Sequence, residues 1–271
     1  MATETFEISI EAAELYESKF VPAMFGEWAP HLVDIAGVSA GHAVLDVACG
    51  TGIVARAAAD RVGTGGKVVG LDLNEAMLTV ARRLRPDLNW RQGDAAELPF
   101  QDDSFDVVLC QSAMMFFPEP EQVLREMGRV AKGDGTVAVQ VWGKLESSTG
   151  YARFAEIVAR HAGPEAVNLF STYWIHGDLD RFLDLFERAG LEVIATRTRL
   201  GSARFPSIED FVTTEVESTP LLERIDADIY RRIFDDAQEA LSPYVTSSGN
   251  VAVPIQGHLV AARKASSHAQ N

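Results

Sequence analysis

Residues 44–58, VLDVACGTGIVARAA, constrain the fold more than any other stretch of the chain. A short apolar run, Val44 to Val47, enters a turn built on Gly50 and Gly52, and the turn opens onto an alanine-rich helical pattern. A glycine-rich turn between a strand and a helix presents backbone N–H groups at the positive end of the helix dipole, where a polar or anionic ligand is held. Glycine at 50 and 52 is expected to let that ligand approach the backbone closely. Asp72 closes the run KVVGLD twenty residues beyond Gly52. From there a carboxylate can accept both hydroxyls of a ribose, so the pattern asks for a nucleoside-bearing ligand.

The theme continues to about residue 141. KVVGLDL, EAMLTVARRL, NWRQGDA, FDVVLCQ, EQVLREMGRVA and TVAVQVW alternate strand-like and helical patterns, which predicts parallel βαβ units in a doubly wound sheet. The near-continuous apolar runs Lys67 to Leu71 and Phe105 to Cys110 mark strands covered on both faces. Residues 44–141 are thus the expected cofactor-binding core. Before it, residues 9–36 read as an N-terminal helical cap broken at Pro22 and Pro30. After it come helical patterns at 151–161, 179–189, 207–218 and 225–241, and strand patterns at 191–200 and 251–262. Residues 143–250 are expected to be substrate-lid insertions around strand 191–200, within a single domain over 1–264, and residues 265–271 a disordered tail.

Composition narrows the partners. A net charge of −15 sets the field against phosphate backbones, so no nucleic-acid partner is expected. No stretch approaches a membrane span. The acidic N-terminus does not read as a secretory signal, and the expected compartment is the cytoplasm. Cys49 and Cys110 fit neither a disulfide framework nor zinc-ligand spacing, and no metal is expected.

The glycine turn alone leaves the nucleoside open, because residues 50–55, GTGIVA, also satisfy the dinucleotide pattern with Asp72 as its acid. Three features separate the readings. Asp46 lies inside the first strand, where a dinucleotide fold usually has an apolar residue and an acid suits a cationic amino group. GDAAELPF follows the third strand, so that Asp94 and the Ala95 backbone can meet an adenine edge. A fourth strand, a helix and a fifth strand then follow in one compact run from Phe105.

In that order residues 44–141 resemble the core of the class I S-adenosylmethionine-dependent methyltransferases, in the branch with the ubiquinone/menaquinone C-methyltransferases and many small-molecule methyltransferases. The resemblance implies a Rossmann-like, doubly wound α/β fold. Its seven-stranded sheet is mostly parallel with an antiparallel last strand, and a helical lid covers it. The cofactor implied is S-adenosylmethionine, with S-adenosylhomocysteine as product. Carried over by position, Asp46, Ala48, Gly50 and Gly52 line the methionine and ribose part, with Cys49 beside them. Asp72 takes the ribose hydroxyls, Leu73 and Met77 pack near adenine or sugar, and Gly93, Asp94 and Ala95 hold the base. Gln111 and Ser112 sit by the methionine moiety, and aromatics of the cap, Tyr16, Phe20 and Trp28, close over the ligands. Ala48 departs from the glycine many relatives carry but is small enough to keep the turn.

The acceptor side is less explicit. Phe170, Tyr173, Trp174, Phe205, Phe211 and Tyr230 in the lid segments favour a small, moderately apolar acceptor, methylated on O, C or N. Met114 to Phe117 serve either the core or a substrate wall. By elimination His176 is the expected general base, with His161 behind it. The charges from Glu223 to Asp236 read as a solvated helix face. Two rival readings are an NAD(P)-dependent oxidoreductase and a cofactor-binding protein without catalysis.

Overall fold

The computed structural model describes residues 8–217, Leu221 and residues 225–265. Seven strands form one sheet: β1 (Ala43–Val47), β2 (Lys67–Asp72), β3 (Asn89–Gln92), β4 (Phe105–Gln111), β5 (Ala131–Trp142), β6 (Leu191–Phe205) and β7 (Val251–Lys264). Their order is β3-β2-β1-β4-β5-β7-β6. The first five run parallel, and β7 is antiparallel to both its neighbours, β5 and β6. The expected mostly parallel sheet with an antiparallel last strand is what forms. β2 and β4 flank β1 on opposite sides, which makes the carboxyl ends of these strands the crevice where open α/β sheets bind ligands.

Both faces are covered because successive residues of a buried strand point to opposite sides. On β4, Val107 and Leu109 pack into one core, with Val54, Ala55 and Ala58 of α3 (Ile53–Val62) and Leu78 and Ala81 of α4 (Glu75–Leu84). Val108 and Cys110 pack into the other, with Leu124 and Met127 of α5 (Pro120–Val130) and Phe182 and Phe186 of α8 (Leu179–Arg188). Both cysteines are buried free thiols. The Asn74 side chain starts α4 by accepting from the Ala76 N–H at 3.0 Å, and Asp178 starts α8 by accepting from Arg181.

The cap is more continuous than its prolines suggest. α1 (Ile10–Leu15) runs into a π-helix, Tyr16–Phe25, which contains Pro22, and α2 (Ala29–Ile35) follows with Pro30 in its first turn. A proline lacks the N–H that an α-helix requires and crowds the preceding carbonyl. The wider π turn absorbs this, with the Gly26 N–H reaching the Val21 carbonyl at 2.7 Å. The break expected at Pro22 is therefore a change of helix type.

β6 outruns the expected 191–200, because pairing with β7 continues from Leu200↔Gln256 to Phe205↔Val251. Together with α8, the helices α6 (Thr149–Ala162), α7 (Pro164–Ser171), α9 (Ile208–Glu217) and α10 (Ala227–Leu241) belong to the 143–250 segment. Phe211 of α9 is its aromatic hub, with Tyr151, Phe154 and Phe205 at ring-centroid distances of 5.3, 5.1 and 5.1 Å. Of the charge run expected to face solvent, Glu223 lies outside the described residues, while Asp236 pairs with Arg160 and His161 of α6. The expected disordered tail lies, from residue 266 on, outside the described residues as well. Among the described residues no helix is long and apolar enough to cross a membrane.

Candidate active site

β1 delivers the chain into a turn whose Ala48, Gly50 and Gly52 all have left-handed backbones, φ 53°, 54° and 87°. The Asp72 carboxylate at the end of β2 ties this turn down, accepting from the Gly50 N–H at 2.7 Å and the Asn74 N–H at 2.8 Å. Gly93 joins the same point through its N–H to the Asp72 carbonyl at 3.0 Å. Asp72 is largely buried, and burial raises its pKa. Leu73 beside it is 60% exposed. Met77 packs on Ala13 of α1. Asp94 is exposed and accepts from the Ala96 N–H at 2.8 Å in a local turn, while Ala95 is buried in the core.

At the end of β4, Ser112 is locked to β5, with its hydroxyl on the Gln140 side-chain oxygen at 2.5 Å and its N–H on the Gln140 carbonyl. Gln111 donates its Nε2 to the Phe25 carbonyl at 3.1 Å, and its Oε1 is buried with no hydrogen-bond partner among the described residues. An unpaired buried carbonyl oxygen is costly, which marks this end of the cleft as built to receive a donor.

Two of the expected positions also serve the fold, and a third lies away from the cleft. Asp46 is 1% exposed, and its Oδ2 accepts from the Ala55 N–H at 2.8 Å. The first turn of α3 thus supplies one partner for this buried carboxylate. Desolvation, with Asp72 nearby, still pushes its pKa up to about 8. Gly52 is glycine for packing as well as for its φ, since a Cβ there would lie 2.2 Å from the Trp90 ring. Trp28 does not close over the cleft: it is fully buried, stacks edge-on against Trp142 at 5.4 Å, and sits where Cβ atoms on Gly201 and Gly257 would come within 2.8 and 2.6 Å.

Tyr16 does lie over the turn. A Cβ on Gly50 would be 3.6 Å from its ring, ordinary contact. The ring stacks on Phe20 and Phe25 at 5.9 and 5.4 Å, and burial beside Asp72 raises its hydroxyl pKa. Glu17 fastens the π-helix to the turn, accepting from the Thr51 hydroxyl at 2.5 Å and from Arg56 at 2.9 Å, while Arg56 also donates to the Thr51 carbonyl.

On the far side of Phe25, a second site adjoins the first. Phe20, Met24, Phe25, Tyr173, Trp174, Thr214 and Glu215 enclose a void of about 10 Å³, room for roughly one water. Glu215, on α9, is 4% exposed and accepts from the Tyr151 hydroxyl at 3.0 Å. Burial pushes its pKa up to about 7 and that of Tyr173 up to about 12. Sequence reasoning missed Glu215, although Phe211, Val212, Glu215 and Val216 share the apolar face of α9, a spacing at which an acid stands out.

His176 is elsewhere. Its Nε2 lies 3.3 Å from the Met114 carbonyl and its ring 5.5 Å from Phe182, and burial lowers its pKa. It anchors the turn after β4 and is not among the residues lining the pocket. His161 is taken by Asp236 at 2.8 Å. Met114 and Met115 belong to the cores, whereas Phe116 is 56% exposed and packs against Tyr173. Of the lid aromatics, Tyr173 and Trp174 line the pocket and Phe205 and Phe211 are core. Tyr230 faces Thr213, and the Phe170 side chain lies outside the described residues. Among the described residues no His, Cys, Asp and Glu side chains gather as a metal site.

A cleft with a turn-bound acid, a second acid beneath it and an orphaned amide oxygen suits a cationic nucleoside ligand. Comparison with known proteins agrees. A methyltransferase-domain family model matches residues 45–139. The chain is 32% identical over 190 residues to the ubiquinone/menaquinone biosynthesis C-methyltransferase UbiE of Idiomarina loihiensis, an alignment that covers 64% of this chain and 76% of that protein. It is 42% identical over 108 residues to the demethylmenaquinone methyltransferase of Lactobacillus johnsonii, where it covers 38% of this chain and only 44% of the relative. The crystal structure of the YcgJ protein from Bacillus subtilis shares the fold at a TM-score of 0.60 and 22% identity, covering 88% of this chain and 99% of that one. The chain belongs to the class I S-adenosylmethionine-dependent methyltransferases.

Proposed function

We propose that the chain transfers the methyl group of S-adenosylmethionine to a small, moderately apolar acceptor, and that it does so in the cytoplasm. The observation that carries this reading is the aromatic pocket of Phe20, Phe25, Tyr173 and Trp174, which adjoins the turn that Tyr16 covers. Asp72 would hold the ribose hydroxyls, with Ala48, Cys49, Gly50 and Gly52 as the floor beneath methionine and ribose. Leu73 and Met77 would flank the sugar and base, and Gly93, Asp94 and Ala95 the adenine edge. The orphaned Gln111 Oε1 would take a donor of the methionine moiety. When bound, the cofactor supplies a methyl group made electrophilic by its positively charged sulfur.

The protein's part is then to position the acceptor and to keep water out. Apolar walls with one acid suit a small molecule better than a peptide, and the net charge of −15 disfavours nucleic acid. The void admits no acceptor as it stands, so the Phe20–Phe25 wall must part from Tyr173 and Trp174 before one enters. The test is incubation with methyl-labelled S-adenosylmethionine and a panel of small aromatic and prenylated compounds. Label appearing in at least one compound, with stoichiometric S-adenosylhomocysteine, is expected. Absence of labelled product across the panel counts against an apolar acceptor.

A further inference from the structure

β5 is apolar where it crosses the core, yet Gln140 stands in it between Val139 and Val141 and is 0% exposed. A buried amide is costly unless it is hydrogen-bonded, so its partners say what it is for. Gln140 is the register partner of Gln111, the last residue of β4, which puts the two side chains on one face of the sheet. Its Oε1 accepts from the Ser112 hydroxyl at 2.5 Å, and its backbone carbonyl accepts from the Ser112 N–H at 2.9 Å. Its Nε2 has no hydrogen-bond partner among the described residues. Among those residues, Ser112 is thus what the side chain holds.

Ser112 needs holding. Its φ of 50° lies in the left-handed region, which a residue other than glycine keeps only where its surroundings fix it. This is the step at which the chain leaves β4 for the 114–116 turn, directly after Gln111. Gln111 is therefore set from two directions, by its Nε2 on the Phe25 carbonyl of the cap and by the clamp on the residue that follows it. Packing keeps the clamp in place. A Cβ on Gly257 would lie 3.2 Å from the Gln140 Nε2 and 2.6 Å from the Trp28 ring, so both side chains crowd the same glycine of β7. Buried Trp28 thereby backs Gln140 from below.

Building on the placement of the methionine moiety beside Gln111, we propose that Gln140 is a positioning residue for the amino-acid arm of the cofactor. It is fully buried and acts through its neighbours. By holding Ser112 in the left-handed conformation it fixes the direction in which Gln111 points its free Oε1, the acceptor for the ammonium of that arm. The nucleoside end is held separately, by the turn that Asp72 ties down. Loss of the clamp is therefore expected to weaken binding of the arm and to spare the nucleoside.

The probes are S-adenosylhomocysteine and 5′-methylthioadenosine, which keeps the nucleoside and the sulfur but has no amino-acid arm, each titrated calorimetrically into the chain. Wild type is expected to bind both. Gln140→Met keeps the length of the side chain and removes its oxygen. It should bind S-adenosylhomocysteine about tenfold more weakly and 5′-methylthioadenosine within about twofold of wild type. Ser112→Ala leaves Gln140 in place, should show the same selective loss, and carries the test if Gln140→Met does not fold. Combining the two should cost little more than either alone, because both remove the same hydrogen bond. Equal weakening of the two ligands, which a general loss of cleft structure gives, overturns the proposal, as do an unchanged S-adenosylhomocysteine affinity or additive losses. Gln111→Met, measured alongside, tests the placement on which the proposal rests. Full S-adenosylhomocysteine affinity in that variant sinks the placement, and failure of wild type to bind either probe sinks the cofactor reading itself.

Discussion

A carboxyl group enclosed by rings keeps its proton to higher pH than one in water, and Glu215 does so at a cost to the fold. Its pKa rises from near 4.5 to about 7 on folding. Below pH 4.5 both folded and unfolded chains hold the proton. Between about 4.5 and 7 the unfolded chain has released it and the folded chain has not, so stability falls as pH rises, and above 7 the loss is complete. The shift corresponds to on the order of 3 kcal/mol. Glu215→Gln should therefore gain on wild type in thermal stability between pH 4.5 and 8. Parallel melting curves at every pH would contradict the burial argument. At this scale the sequence located Asp72, Gly50 and Tyr16 correctly relative to one another, because a glycine turn and the acid after the next strand have few ways to meet. Trp28 and His176 were not legible. An aromatic or a histidine in a lid segment carries no local mark that separates the cleft from the core, and packing against Gly201, Gly257 and Phe182 decides both.

Between elements, the Glu17–Arg56–Thr51 junction joins the π-helix to the start of α3. Thr51 is fully buried and the ion pair has 18% and 22% side-chain exposure, so its worth exceeds that of a surface pair. Glu17→Ala frees the cap from the turn at Thr51 while leaving the Asp72 hydrogen bonds to Gly50 and Asn74 in place. The expected result in stopped-flow displacement is S-adenosylhomocysteine release roughly five- to tenfold faster, as about 1–1.4 kcal/mol would give. An unchanged release rate would mean that the cap does not cover the ligand. The strands and helices of residues 44–141 were readable from period alone. The π-helix was not, since Pro22 signals only that an α-helix cannot continue and says nothing of the wider turn that replaces it. The full length of β6 was hidden too, because residues 201–205, GSARF, extend as a strand only where β7 pairs with them.

For the molecule as a whole, the decisive feature is the reversal of strand order about β1. It brings the turn after β1, the end of β2 and the end of β4 to one crevice, so that groups from Asp46 to Gln111 converge while the cap and the 143–250 segment line the aromatic pocket beside it. Local patterning reveals the crevice; the aromatic pocket draws its walls from segments more than 100 residues apart, such as those carrying Phe20 and Glu215, and no local pattern encodes that. The most direct measurement is calorimetric titration of the full chain with S-adenosylmethionine, S-adenosylhomocysteine and NADH, alongside Asp72→Ala. The account predicts that the first two bind, that NADH does not, and that the variant weakens both by at least about tenfold, the loss of a charge-assisted hydrogen bond to ribose. Binding of NADH alone, or undiminished binding by Asp72→Ala, would contradict it.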